Sequence, residues 1–180
     1  MSKVVRFHAV GGPENLVLVD EEPGAPGKNE VLVKMKAAGL NRAEWLYLHG
    51  QYLVAPKLPS RIGVEGAGII DKLGPGVRGY EVGQEVSITP NMSPDVYGVL
   101  GEYALVPVEA LAPKAPNVSF EAAAAIWMAY PTAYGGLIEV GGLRAGAKQH
   151  VVVSAARVCV SAAFTWCITC FSMPISPRAR

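Results

Sequence analysis

The sequence predicts a mostly β body that leads into the opening of an α/β domain. Three observations carry this expectation. Short apolar stretches separated by glycine and proline turns run from Lys3 to about Pro116, an alanine-rich helical stretch follows Ser119, and a β-branched run, H-V-V-V-S-A, occupies 150–155. Closely spaced apolar stretches with turn residues between them are the pattern of a β barrel or sandwich. A short run apolar on both sides after helical segments suits the central strand of a parallel sheet.

The strands are expected at 4–9, 16–19, 30–37, 68–73, 85–88 and 102–108. In the third, Val31, Val33, Met35 and Ala37 share one face, as in a half-buried strand. G-G-P, P-G-A-P-G, L-G-P-G-V and E-V-G-Q supply the turns between strands. N-R-A-E-W-L-Y-L-H-G at 41–50 interrupts them with Trp45, Leu46 and Leu48 at spacings that suit a short helix, and Gly50 is its stop. After Pro116, Ser119 is a candidate N-cap for F-E-A-A-A-A-I-W-M-A-Y, with Glu121 in the first turn and four alanines behind it. Pro131 is expected to break that helix, and a second, T-A-Y-G-G-L-I-E-V, to run to Gly141-Gly142.

A chain of 180 residues hides about 70% of its unfolded surface on folding, so it needs no disulfide or metal staple. A hydrophobic fraction of 51% excludes a disordered chain. A net charge of +1, with no crowding of Lys and Arg on one segment, argues against nucleic-acid binding, which depends on releasing counterions from a basic face. The amino terminus carries Lys3 and Arg6 in place of a secretory apolar core, so the cytoplasm is the expected compartment.

The last residues differ in kind. Residues 1–156 hold thirteen cations against fifteen acids, a net charge of −2, while Arg157, Arg178 and Arg180 make the remainder +3. Cys159, Cys167 and Cys170 all lie in 157–180, and the last glycine is Gly146. The 16-residue apolar run from Val158 to Met173 is shorter than the roughly 20 residues that span a bilayer, leaving at most a weak anchor. Cys167 and Cys170 form a C-x-x-C that lacks two further zinc ligands, and they are read as incidental.

G-G-P-E-N-L at 11–16, A-A-G-L-N-R-A-E at 37–44, G-V-E-G-A-G at 63–68, L-G-P-G-V at 73–77, Y-G-V-L-G-E-Y-A at 97–104 and A-A-A-A-I-W-M-A-Y-P-T-A-Y-G-G-L at 122–137 together resemble the zinc-free, quinone-oxidoreductase branch of the medium-chain dehydrogenase/reductase superfamily. Each motif alone is a weak glycine pattern; their joint order is specific. The resemblance implies a GroES-like β domain at 1–118 that forms the substrate side, followed at 119–156 by the start of a Rossmann domain that binds NADP(H) in the cleft between them. Residues 157–180 form an aberrant tail in this division. It further implies hydride transfer from NADPH to a quinone or α,β-unsaturated carbonyl, often by a homodimer.

Zinc-dependent relatives place a Cys where this chain has Asn41 and a His where it has Val64. The body offers no Cys and only His8, His49 and His150, so no zinc site is expected. Asn41 is first a helix N-cap by residue type; the resemblance adds a role in the nicotinamide and substrate pocket, where its amide polarises a carbonyl oxygen. Tyr47, Tyr52 and Tyr97 either pad the β core or face the cofactor, and Tyr52, two residues after Gly50, matches the family's cofactor loop best. Thr132 either caps the second helix or contacts the dinucleotide. Asn41 and Tyr52 are thus the candidate catalytic residues, and Asn41, Tyr47, Tyr52, Tyr97 and Thr132 the candidate cofactor contacts. Glu65, an acid among glycines, must find a partner or take a proton if buried, and a structural role is expected.

A glycine turn normally follows the first Rossmann strand and lets backbone N–H groups approach the pyrophosphate. Here R-V-C-V-S-A-A-F follows, and no glycine occurs through residue 180. The family match ends near 156, as a frameshift, a misread splice junction or a truncated frame would produce. Weak or absent catalysis by this chain is the expectation, and a non-catalytic β module or an unstable fragment is the rival.

Overall fold

A computed structural model of the chain describes residues 1–90 and 93–146. They fall into two compact units, Met1–Met128 and the residues from Ala129 onward.

The first unit contains, in chain order, β1 (Ser2–Phe7), β2 (Leu16–Glu21), β3 (Glu30–Ala38), α1 (Arg42–Leu48), β4 (Ser60–Arg61), β5 (Gly66–Leu73), β6 (Glu85–Ile88), α2 (Pro94–Tyr97), β7 (Tyr103–Pro107), β8 (Leu111–Pro113) and α3 (Phe120–Ala124). β1 is central to a three-stranded sheet, β2-β1-β4, and the other strands form a five-stranded sheet, β7-β3-β5-β6-β8. All pairings are antiparallel. The sheets are tied where Val5 N–H donates to the Leu100 carbonyl at 2.9 Å and Glu102 N–H to that of Lys3 at 2.8 Å. The expected mostly β body is therefore present, and all six expected strands occur with ends shifted by a few residues. β4 and β8 carry too little periodicity to be seen in the sequence, being two and three residues long.

The core forms where the apolar faces of the larger sheet meet: Val31, Val33, Ile70, Val86, Ile88, Val99, Ala104, Val106 and Leu111. Burying each larger aliphatic side chain there contributes about 1.5–3 kcal/mol. A second cluster, Phe7, Tyr47, Leu48 and Ile62, seats α1. β3 departs from strict alternation, since Leu32 is buried beside Val31 and Val33; register shifts at Leu32/Val33 and Met35/Ala37 bend the strand there.

Ser119 caps α3 as expected, its Oγ accepting Ala122 N–H at 3.2 Å. Ala123 and Ala124 pack against Ala67 of β5, where small side chains permit close approach. This helix lies on the β body, within the first unit. It also stops sooner than its alanines suggest: Ala125 has left helical geometry at φ −114°, ψ 4°. Helix propensity there is overridden by tertiary demand, because the chain turns to deliver Met128 N–H to a buried carboxylate.

In the second unit, α4 (Ala129–Tyr134) continues into wider π-type turns over Gly135–Val140 and closes at Gly141 and Gly142. The expectation that Pro131 divides two helices is corrected. Pro131 is the third residue of α4, in the first turn, where a backbone N–H has no intrahelical acceptor to lose. Among the described residues no helix is long and apolar enough to cross a membrane. The expected strand at 150–155 and the tail at 157–180 lie outside the described residues.

Candidate functional site

The site begins where β3 ends and α1 starts. Gly39 N–H donates to the Glu65 carbonyl at 3.0 Å, fastening the end of β3 to the G-V-E-G segment. A Cβ on Gly39 would stand 2.5 Å from the Ala124 carbonyl oxygen and 2.6 Å from Glu65 Oε1, so only glycine passes here. Two residues later, Asn41 adopts the extended geometry of an N-cap, at φ −128° and ψ 166°.

Asn41 lies between two carboxylates. Its Nδ2 donates to Glu65 Oε1 at 2.8 Å and its backbone N–H donates to Glu44 Oε2 at 2.7 Å. Glu65 is 1% exposed, and its other oxygen accepts Met128 N–H at 2.9 Å. The acid thus finds the partners its burial demands, in a structural arrangement that also fixes the amide of Asn41. One amide hydrogen of Asn41 is engaged by Glu65; the other has no partner among the described residues.

Glu44 was not singled out from the sequence, although N-R-A-E at 41–44 carries a capping-box signature, an N-cap residue with Glu at N3. The structure gives it more to do than cap. It is 7% exposed, and its Oε1 accepts Val64 N–H at 3.0 Å, so one carboxylate joins the start of α1 to the G-V-E-G segment. Burial pushes its carboxyl up to about 7 and the Glu65 charge adds to this, while N–H donors, Asn41 and Val64 among them, pull the other way.

The tyrosines separate into three roles. Tyr47 is 2% exposed, edge-on to Phe7 at 5.6 Å, with its hydroxyl 2.8 Å from Ser60 Oγ. It is a core ring, and burial raises its phenol. Tyr97 spends its hydroxyl on Glu30 Oε1 at 2.8 Å, which raises its phenol foremost. Tyr52 is half-buried, edge-on to Tyr47 at 6.4 Å, and its hydroxyl has no hydrogen-bond partner among the described residues. Its phenol is raised by burial and then by the Glu44 carboxylate. Hydrogen bonds therefore join Asn41, Glu44 and Glu65, while Tyr52 packs on Tyr47 in the cluster that seats α1 and Tyr97 is tied to β3. Thr132 lies within α4 in the second unit, inside the helix and not at its cap.

The outer face of α1 stacks Arg42, Trp45 and His49. The guanidinium is 3.8 Å from the indole centroid, and the indole and imidazole rings are 3.9 Å apart. Such a stack stiffens the helix that carries Asn41. Among the described residues no three His, Cys, Asp or Glu side chains gather to hold a metal ion.

Residues 27–117 match the family of the alcohol dehydrogenase GroES-like domain. A quinone oxidoreductase of Pseudomonas aeruginosa is 38% identical over 131 residues, covering 71% of this chain and 38% of that protein. The crystal structure of the Pseudomonas syringae quinone oxidoreductase superimposes with a TM-score of 0.71 at 38% identity, covering 78% of this chain and 42% of its own. That of Escherichia coli quinone oxidoreductase complexed with NADPH gives a TM-score of 0.69 at 33% identity, covering 77% of this chain and 41% of its own. The chain thus spans about two fifths of the length of the relatives it matches.

Proposed function

The chain belongs to the quinone oxidoreductase-like branch of the medium-chain dehydrogenase/reductase superfamily, and from that premise we propose that residues 1–128 form the acceptor-holding part of an NADPH-dependent reductase of quinones or α,β-unsaturated carbonyls. The observation that carries this reading is the state of Asn41. Its amide is held by a buried carboxylate at 2.8 Å and retains a second hydrogen for a ligand.

NADP(H), when bound, supplies the hydride. The chain's own side chains do the rest. Asn41 donates to the acceptor's carbonyl oxygen, where negative charge develops as the double bond is reduced. Glu65 keeps the amide from rotating, so the donor is aligned before the acceptor arrives. Tyr52 offers a ring wall and a hydroxyl that no described group engages, which fits a planar ligand with polar edges. By resemblance, Thr132 contacts the dinucleotide. A glycine-free stretch stands where the family's pyrophosphate turn belongs, so this chain grips the dinucleotide weakly and transfers hydride slowly by itself.

Calorimetric titration of the purified chain with a simple quinone, with a cyclic enone and with NADPH tests both parts. The expected result is acceptor binding that weakens in Asn41→Ala, and NADPH binding weaker than micromolar. Acceptor binding indifferent to that substitution removes the role given to Asn41, and micromolar NADPH binding removes the role given to the missing glycines.

A further inference from the structure

We propose that Glu44 is the positioning residue for Asn41, a two-oxygen clamp across the start of α1 and the G-V-E-G segment that releases one of its two backbone partners on taking up a proton. The inference rests on the reading of Asn41 as the acceptor-binding group.

The geometry of the clamp is specific. Glu44 Oε2 holds Asn41 N–H at 2.7 Å and Oε1 holds Val64 N–H at 3.0 Å. Glu65, next to Val64 in the chain, holds the Asn41 side chain at 2.8 Å. The two carboxylates therefore form a closed frame: with the Gly39 N–H bond to the Glu65 carbonyl holding the end of β3, Glu44 holds the Asn41 and Val64 backbones together, and that spacing lets the amide reach Glu65. A change at Glu44 moves Asn41 without touching a ligand.

The same frame is sensitive to acid. Both oxygens of Glu44 accept N–H donors, which suits a carboxylate; a carboxylic acid turns one oxygen into a hydroxyl, a poorer acceptor that competes with the donor facing it. The titratable groups that bear on Glu44 are Glu65, from the segment leading into β5, and Tyr52, from the segment after α1. No Lys or Arg among the described residues forms an ion pair with it. A buried anion facing a second anion with no cation takes up a proton more readily than an exposed one. The resulting midpoint of about 7 puts the release within the neutral range.

Isotope-labelled full-length chain, followed by nuclear magnetic resonance across the neutral range, supplies the test. In the wild type the backbone amides of Asn41 and Val64 and the side-chain amide of Asn41 are expected to shift together, with one midpoint near 7. Glu44→Gln is expected to abolish that common titration. Persistence of the titration in Glu44→Gln, or its absence in the wild type, overturns the clamp. Should Glu44→Gln not fold, the Glu44 carboxyl carbon of the wild type decides. A midpoint shared with both amides supports the clamp, and a midpoint in the ordinary carboxylate range overturns it. Ligand binding enters none of these readouts. A titrating Asn41 in a chain that binds no acceptor refutes the functional reading alone, and a pH-independent Asn41 in a chain that binds one refutes the clamp alone.

Discussion

Replacing Asn41 by Ala and by Asp separates what its amide does from what its charge-neutrality does. Asn41→Ala removes the Nδ2 donor 2.8 Å from Glu65 Oε1 and leaves that buried carboxylate with Met128 N–H at 2.9 Å. A hydrogen bond to a charged group is worth about 1.5–3 kcal/mol. The same change deletes the N-cap of α1, about 1 kcal/mol. The two losses share one side chain and do not simply add, so the expected destabilisation is about 2–4 kcal/mol. Asn41→Asp keeps a capping oxygen but places a carboxylate against Glu65. At 2.8 Å and an effective dielectric of about 20, two ionised groups repel by about 6 kcal/mol, enough to make the pair hold a proton in the folded state. A carboxyl whose folded-state affinity for protons exceeds its unfolded one contributes stability that is present in acid and is lost as pH rises. The Asp variant's deficit relative to wild type should therefore grow from mildly acidic to mildly alkaline buffer, while the Ala variant's stays nearly constant. Urea unfolding of the purified chain, followed by circular dichroism at both ends of that range, measures both. An Asp variant as stable as wild type in alkaline buffer, or an Ala variant within about 0.5 kcal/mol of it, the scatter of an ordinary surface substitution, would refute the reasoning.

Two further outcomes are expected. Glu44 rises from 4.5 to about 7 on folding, so its contribution to stability is fully present below 4.5 and is lost as pH climbs through about 7. The span corresponds to about 3 kcal/mol, and Glu44→Gln should flatten this part of a plot of unfolding free energy against pH; parallel curves for the two proteins contradict it. Gly74→Ala places a Cβ against the Gly27 carbonyl oxygen and 2.8 Å from that of Glu30, backbone atoms that cannot rotate away. It should cost about 1–3 kcal/mol in urea unfolding, and no measurable loss would mean that the turn between β5 and β6 is looser than described.

The pH behaviour of Glu44 joins two demands in opposition. Its ionised form makes both clamp bonds and is also the form that burial penalises.

Much of this architecture was legible from short-range pattern. Six strands, the helix between Asn41 and Gly50 and the Ser119 cap depend on propensity, turn chemistry and side chains a few residues apart, all of which a linear sequence displays. Glu65 was also legible as an acid in need of a partner, though not which one. The identity of that partner, 24 residues away at Asn41, required β3 and β5 to be paired before it could be seen. The distinct fates of Tyr47, Tyr52 and Tyr97, alike in type and similarly near the motifs, were settled by what packs against each ring. Only tertiary structure ended α3 at Ala124 and gave Val64 N–H to Glu44, because a buried polar group binds whichever donor the folded backbone brings within reach, and that distance is measured through space and not along the chain.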